Sequence, residues 1–160
     1  DFTALSKWYI PRRAMTATED STNIKKYNYS YGYTYVETAS GEFRIINEGT
    51  EECPSILTLF GNCVNPNWVL SQNGKTLIKN GLNVEIPSNH KLIINSNDNE
   101  REIAEYTLDD TLYQNLYQKI DFDNKAFIVI PTGESMLRVT ETSGNKINAI
   151  LEIEEVYETV

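Results

Sequence analysis

The sequence predicts an all-β chain that folds as an antiparallel β-sandwich with one short helix. From Tyr27 onward, short extended segments are separated by turn residues about every 8 to 12 positions, a spacing typical of sandwiches and barrels. Within "NWVLSQNGKTLIK", Asn73-Gly74 is the dipeptide that best fits the type I′ turn of a two-residue hairpin. These patterns predict roughly eleven strands.

The predicted strands follow one another with short connections. They correspond to "GEFRIINEG", "SILTLFG", the two halves of "NWVLSQNGKTLIK", "LNVEIP", "HKLIINS", "REIAEYTL", "KAFIVIP", "SMLRVTE" and "NAILEIEEVY". The segment "LDDTLYQNLYQKIDF" differs, because Leu112, Leu116 and Ile120 recur every four residues. That spacing predicts the short helix, with Asp109 or Asp110 suited to cap its start.

The chain is predicted to contain one sandwich domain and an N-terminal extension. Residues 1–26 combine an aromatic segment around Trp8, a Pro-Arg-Arg break and a polar run, so we interpret them as an arm and linker from a preceding domain. Residues 27–160 form the predicted sandwich. A chain of 160 residues, 40% of them hydrophobic, can bury one sizeable core but not two comfortable ones. Because the chain starts at Asp1 without a methionine, we expect it to be part of a longer polypeptide.

The charge distribution excludes two classes of partner. The net charge is -9, and residues 51–160 hold eight bases against seventeen acids. Such a surface repels phosphate backbones and anionic membranes, so neither nucleic-acid nor membrane binding is predicted. No run of eighteen apolar residues occurs, so no membrane-spanning helix is predicted.

Few residues offer catalytic or metal-binding chemistry. His90 is the only histidine, and its setting in "PSNHKL" predicts a solvated turn residue rather than a catalyst. The chain has no Cys-x-x-Cys, His-x-x-x-His or glycine-rich phosphate motif, so we predict no metal, no cofactor and no catalytic residue. Several carboxylates alternate with apolar residues, as outward side chains do: Glu85, Glu102, Glu105, Asp121 and Asp123.

Two cysteines are predicted to remain reduced. Cys53 and Cys63 bracket a segment that is predicted to be extended, which would hold them roughly 30 Å apart, whereas a disulfide needs Cα atoms within about 7 Å. Reduced thiols favour assembly in a reducing cytoplasm.

The stretch "YNYSYGYTYV" places tyrosines at every second position. On a β-strand this spacing puts all five rings on one face: Tyr27, Tyr29, Tyr31, Tyr33 and Tyr35. The rings could form a wall of the core, contact another subunit or, with Trp68 elsewhere, form a platform for sugars. Burial or subunit contact is the commoner use of strand tyrosines, so we favour it over glycan contact.

The order of several motifs resembles a known family. The "WY" near the start, the tyrosine strand, "GEFRIINEGT", "ILTLFGNCVNPNW", "SQNGKTL", "LYQNLYQKIDF" and "FIVIPTGESMLRV" together resemble the distal tail and baseplate proteins of long-tailed phages that infect Gram-positive bacteria. The resemblance implies a galectin-like, or jelly-roll-like, sandwich behind a ring-forming domain. It also assigns architectural turns to Asn65-Pro66 and to Pro131-x-Gly133, where Pro fixes φ and Gly adopts positive φ.

The function that the resemblance implies is structural. Six copies of the full-length protein would form a hub in the virion that joins the tail tube to tail-associated or receptor-binding proteins, after assembly in the host bacterial cytoplasm. Such proteins are scaffolds rather than enzymes. The alternative, from a different class, is a carbohydrate-binding module that recognises host cell-wall polysaccharide through exposed aromatic residues.

Overall fold

The computed structural model describes residues 7–9, 13–16, 37–38 and 41–158. Its strands, in chain order, are β1 (Lys7–Tyr9), β2 (Arg13–Thr16), β3 (Glu37–Thr38), β4 (Gly41–Asn47), β5 (Cys53–Phe60), β6 (Cys63–Val64), β7 (Asn67–Gln72), β8 (Lys75–Gly81), β9 (Glu85–Ile86), β10 (His90–Asn95), β11 (Glu102–Thr107), β12 (Leu112–Asn115), β13 (Val129–Ile130), β14 (Gly133–Thr140), β15 (Ile147–Ile153) and β16 (Val156–Glu158). One 3₁₀ turn, Tyr117–Lys119, follows β12.

Two larger sheets contain most of these strands. One has the order β12-β11-β10-β5-β15-β2, with β13 also paired to β5 and β3 to β15, and the other has the order β4-β14-β7-β8. The pairs β1-β16 and β6-β9 form two small sheets. The pairings are antiparallel, so the predicted all-β antiparallel sandwich is confirmed.

The two larger sheets share one hydrophobic core. Alternate residues of β5 and β15 are buried along the whole length of each strand, because successive side chains point to opposite faces. Phe43 and Leu137 from the four-stranded sheet join the same buried cluster as Leu57, Leu92 and Leu151 from the eight-stranded sheet. The alternation that the sequence displays is therefore the pattern that brings the two sheets face to face.

The hairpin predicted at Asn73-Gly74 is present. Strands β7 and β8 pair directly, with Gln72 opposite Lys75, and the two residues between them have φ values of 52° and 76°. A type I′ turn requires positive φ at both central positions, which Asn and Gly tolerate best.

Replacing Gly74 by alanine should lower the free energy of unfolding by about 1 kcal/mol. No heavy atom lies within 4 Å of the position that the new Cβ would occupy, so the effect comes from the positive φ and not from a clash. Urea unfolding of the variant and of Thr76→Ala, a change at an exposed position of β8 that needs no positive φ, measures it. Equal midpoints for Gly74→Ala and the parent would contradict a requirement for positive φ.

The segment predicted to form the short helix contains a strand and a single 3₁₀ turn. Leu112–Asn115 pairs with β11, with Gln114 opposite Glu105, and only Tyr117–Lys119 is helical. Leu116 is buried whereas Leu112 is 56% exposed, so the four-residue spacing does not mark one buried face. Tertiary pairing with β11 outweighs the local helical pattern. Among the described residues, no helix is long and apolar enough to cross a membrane.

The segment "KAFIVIP" is shorter as a strand than the sequence predicts. Only Val129–Ile130 pairs as a strand, because buried side chains bind the backbone just before it. The hydroxyl of Ser55 donates to the Ile128 carbonyl (2.6 Å), and the Ile128 amide donates to the Ser96 hydroxyl (2.8 Å). Side-chain partners replace the hydrogen bonds of a sheet in this buried stretch.

Parts of residues 1–26 pair with the sandwich. Strand β1 pairs with β16, and β2 pairs with β15 along the same edge as β3. Thr16 lies opposite Ile150 and Glu37 lies opposite Asn148, so the end of β2 and the start of β3 occupy neighbouring positions along one side of β15. The division between an arm and a sandwich after residue 26 stays a prediction, since residues 17–36 lie outside the described part of the chain.

Candidate functional site

Of the six aromatic residues predicted to contact a partner or a sugar, the structure describes only Trp68. Tyr27, Tyr29, Tyr31, Tyr33 and Tyr35 lie outside the described residues, so their roles stay predictions. Trp68 is 0% exposed, which contradicts its assignment as an exposed contact residue. It lies on the inner face of β7, where its indole N–H donates to the Ala126 carbonyl (3.2 Å). Trp68 is therefore a core residue with a satisfied donor.

The predicted architectural turns lie where the chain changes direction. Asn65 has a φ of 50° and Gly133 a φ of 88°, and each lies next to or at the start of a strand. The Gln72 side chain donates to the carbonyls of Thr132 (2.8 Å) and Glu134 (3.2 Å), which fastens the turn after Pro131 to the hairpin of β7 and β8. Pro66 directly precedes β7.

Both cysteines are free, as predicted, and both are buried. Burial, together with the smaller effect of nearby carboxylates such as Glu141 beside Cys63, raises the pKa of Cys53 and of Cys63 from 9.0 to about 12. A thiol with this pKa has almost no nucleophilic thiolate at neutral pH.

We expect neither thiol of the native chain to react with a disulfide reagent such as DTNB at pH 8, and both to react in urea. The free energy of unfolding should also decrease above about pH 9, because the unfolded thiols then release protons that the folded thiols retain. Absorbance at the released thionitrobenzoate band counts the reactive thiols. Stoichiometric labelling of the folded chain within seconds would contradict this burial.

His90 is buried, and its prediction as a solvated turn residue is wrong. The residue is 7% exposed, and its Nδ1 is hydrogen-bonded to Oε1 of Glu105. Glu105 was expected to face outward but is 1% exposed, on the inner face of β11. The antiparallel pairing of β10 with β11 places His90 and Glu105 on the same inner face of the sheet. Each polar group thus supplies the partner that the other needs in the interior.

Gln114 extends this buried pair from a half-buried position on β12. Its amide N–H donates to Oε2 of Glu105 (2.6 Å), so the carboxylate joins β10, β11 and the edge strand β12. The ring of Tyr113 lies beside the imidazole of His90, with ring centroids 4.6 Å apart. These contacts fix the position of β12 and of the 3₁₀ turn that follows it.

An exposed aromatic surface lies next to β12. Among the described residues, seven large hydrophobic side chains are exposed, and five of them fall between residues 108 and 122: Leu108, Leu112, Tyr113, Tyr117 and Phe122. Tyr117 meets Phe122 edge to face (centroids 5.5 Å apart, 79°) and stacks on Phe127 (5.8 Å, 17°). The guanidinium of Arg101 lies over the Phe127 ring at 5.4 Å. We call Tyr117, Phe122 and Phe127 the aromatic cluster.

A pocket opens beside the aromatic cluster. Its volume is about 430 Å³, and it is lined by Arg101, Glu102, Asn115, Tyr117, Gln118 and Phe127. This volume lies within the usual range for small-molecule sites, about 300 to 1,000 Å³. The lining pairs aromatic rings with planar polar side chains, which suits a ligand that has both apolar faces and hydroxyl groups.

A larger cleft nearby is polar and has a structural role. It measures about 860 Å³, and its eleven lining residues include five asparagines, Asn80 among them, and the charged side chains of Lys79, Lys119 and Asp121. The buried Asn80 amide donates to the carbonyls of Asp121 (2.9 Å) and Asn124 (3.3 Å), and its Oδ1 accepts from the Asp121 amide (3.3 Å). These bonds hold the loop that carries Phe122 of the aromatic cluster.

Sequence patterns missed the pocket because its residues are distant along the chain. Phe127 lies in the strand predicted over "KAFIVIP", and Tyr117 lies in the segment predicted to form the short helix. Arg101 and Glu102 open the strand predicted over "REIAEYTL". Among the described residues, no group of three or more His, Cys, Asp or Glu side chains is arranged to hold a metal ion.

Comparisons with known proteins identify the fold. No protein-family model and no curated protein sequence matches the chain. The structure is similar to that of the SPP1 Dit protein, described as a paradigm of the hub adsorption apparatus in phages that infect Gram-positive bacteria. The TM-score is 0.59 at 12% identity, over 94% of this chain and 48% of the Dit chain.

A second similar structure comes from the phage P2 baseplate in its activated conformation with Ca. The TM-score is 0.52 at 14% identity, over 92% of this chain and 53% of the baseplate chain. The chain thus has the β-sandwich fold found in phage hub and baseplate proteins, and the resemblance predicted from the sequence is confirmed for the fold. It spans about half the length of each of these two proteins.

Proposed function

We propose that the chain is a structural, non-enzymatic domain of a phage tail-tip or baseplate hub protein. The observation that carries the proposal is the fold similarity to the SPP1 Dit hub protein over 94% of the chain. The partners are other tail proteins: the tail tube on one side and tail-associated or receptor-binding proteins on the other. The protein resides in the virion and assembles in the host bacterial cytoplasm, which is compatible with two buried, free thiols.

We assign the contacts that close the six-fold ring of subunits to parts of the full-length protein outside this domain. A domain with a net charge of -9 repels its own copies, so a six-fold ring needs attractive contacts from elsewhere. Residues 1–26 would then serve as the connection from the ring-forming domain.

Immunogold labelling of purified virions tests the location. Antibodies raised against the 160-residue chain should label the distal end of the tail of the phage that encodes it. Labelling of the capsid, or absence of the protein from purified virions by mass spectrometry, would refute the proposed role.

Light scattering tests the assignment of the ring contacts. The 160-residue chain should be a monomer at physiological salt, while the full-length polypeptide should show closed six-fold rings in negative-stain electron micrographs. A stable hexamer of the 160-residue chain would place the ring contacts within this domain and contradict their assignment.

A further inference from the structure

We propose that the pocket beside the aromatic cluster binds a neutral saccharide. This inference goes beyond the structural role and does not depend on it. Trp68 is buried and cannot contact a sugar, so the proposed sugar site uses other aromatic residues, which are described and exposed. The site consists of the six lining residues named above, together with Phe122, whose ring contacts that of Tyr117.

The exposed rings provide the apolar part of the site. Tyr117 is 40% exposed and Phe122 is 62% exposed, although both are large rings that a folded chain gains stability by burying. The C–H face of a pyranose ring is apolar and flat, so it can cover such a ring while its hydroxyls remain free to form hydrogen bonds. Because the rings of Tyr117 and Phe122 meet edge to face, their surfaces lie at an angle to each other, and one sugar unit can pack against that angle.

The polar side chains of the lining have donors and acceptors left over. Glu102 uses Oε2 to accept from the Tyr106 hydroxyl (2.8 Å), and Asn115 uses Oδ1 to accept from the Tyr117 amide (2.9 Å). The remaining Glu102 oxygen and the Asn115 N–H groups are available to a ligand. Within the part of the chain that the structure describes, the Gln118 side chain has no hydrogen-bond partner. Planar carboxylate and amide groups of this kind bind pairs of sugar hydroxyls.

The charges favour a neutral ligand over an anionic one. Arg101 and Glu102 contribute one charge of each sign to the lining, and Arg101 donates to Asp98 (2.7 Å) outside the pocket. The chain as a whole carries -9, which repels phosphate-rich or uronic polymers. A neutral polyol has no such repulsion and can use both charged groups as strong hydrogen-bond partners.

The pocket is held in shape by hydrogen bonds of its own residues and of the neighbouring strand and loop. The Asn115 side chain fixes the amide of Tyr117, and Gln114 anchors the preceding strand to Glu105 in the interior. Asn80 fastens the loop that carries Phe122. A preformed site loses little conformational entropy when it binds, so even a small ligand can bind measurably.

Saturation-transfer NMR and isothermal titration calorimetry with neutral trisaccharides test the proposal. The probes are maltotriose, cellotriose, N,N′,N″-triacetylchitotriose and raffinose, each titrated into the 160-residue chain. We expect at least one to bind, and Tyr117→Ala to weaken that binding roughly tenfold, as expected for the loss of one stacked ring. Tyr113→Ala is the matched control, because Tyr113 is also an exposed tyrosine near β12 but contacts His90 instead of the pocket. The affinity of the Tyr113→Ala variant for the same trisaccharide should stay within about twofold of the affinity of the parent.

A second variant keeps the test valid if Tyr117→Ala fails to fold. Gln118→Ala removes an exposed amide and should weaken binding several-fold while leaving the unfolding midpoint unchanged. The proposal is overturned if none of the four trisaccharides binds at 10 mM, about the weakest affinity that these methods detect. It is equally overturned if Tyr113→Ala weakens binding as much as Tyr117→Ala, or if dextran sulfate binds and the neutral sugars do not.

Discussion

Replacing Trp68 by alanine is expected to lower the free energy of unfolding by about 3 to 5 kcal/mol. The side chain is fully buried between the sheets, so truncation leaves a large cavity. It also removes the donor to the Ala126 carbonyl, which is buried in the irregular stretch before β13. Urea unfolding monitored by far-ultraviolet circular dichroism gives the midpoint and the slope.

Two further variants separate burial from the hydrogen bond. Trp68→Phe keeps most of the ring volume but loses the indole N–H, so it should fall between the parent and Trp68→Ala. Phe122→Ala removes an aromatic ring that is mostly exposed and should lower stability by less than about 1 kcal/mol. If Trp68→Ala were no less stable than Phe122→Ala, the indole could not be part of the core.

Replacing Glu105 by alanine is expected to lower the free energy of unfolding by about 3 kcal/mol. The carboxylate is the common partner of His90 and Gln114, and its removal leaves the buried imidazole of His90 and the half-buried amide of Gln114 without this partner. The edge strand β12 should loosen as well, which amide hydrogen exchange at residues 112–115 can detect. Glu85→Ala is the matched control, since Glu85 is an exposed carboxylate on β9 and should change stability by less than about 0.5 kcal/mol.

A double-mutant cycle distinguishes the polar network from simple loss of packing. If His90 and Glu105 act as a pair, His90→Ala in the Glu105→Ala background should have a much smaller effect than in the parent. Strictly additive effects would show that the two buried groups do not stabilise one another.

The regular part of the fold was predictable from local patterns. Alternation in "GEFRIIN" and in "INAILEI" predicted strands because a sheet with one buried face needs an apolar residue at every second position. Asn73-Gly74 predicted its hairpin because few residue pairs accept two positive φ angles. The spacing of Cys53 and Cys63 around an extended segment predicted two free thiols, since a single strand cannot bring its own ends together.

The errors share a physical cause. His90 was expected at a solvated turn because its neighbours in sequence are polar, yet β11 brings Glu105 against it from fifteen residues away. The four-residue spacing of Leu112, Leu116 and Ile120 predicted a helix, but pairing with β11 makes the first part of that segment an edge strand. Trp68 was assigned to the surface from residue type, which carries no information about the face of a strand that meets the other sheet.

The sequence by itself determined that this chain is acidic and folds as an all-β sandwich, because alternation and turn chemistry are properties of neighbouring residues. The likeness to the fold of phage hub and baseplate proteins came from the order of several motifs along the chain. Only the tertiary structure decided which polar groups are buried as partners and which rings remain exposed. The pocket takes Arg101 and Glu102 from the start of β11, Tyr117 and Gln118 from the 3₁₀ turn, and Phe127 from the stretch before β13. Their proximity depends on sheet order and register, and long-range strand pairing sets both.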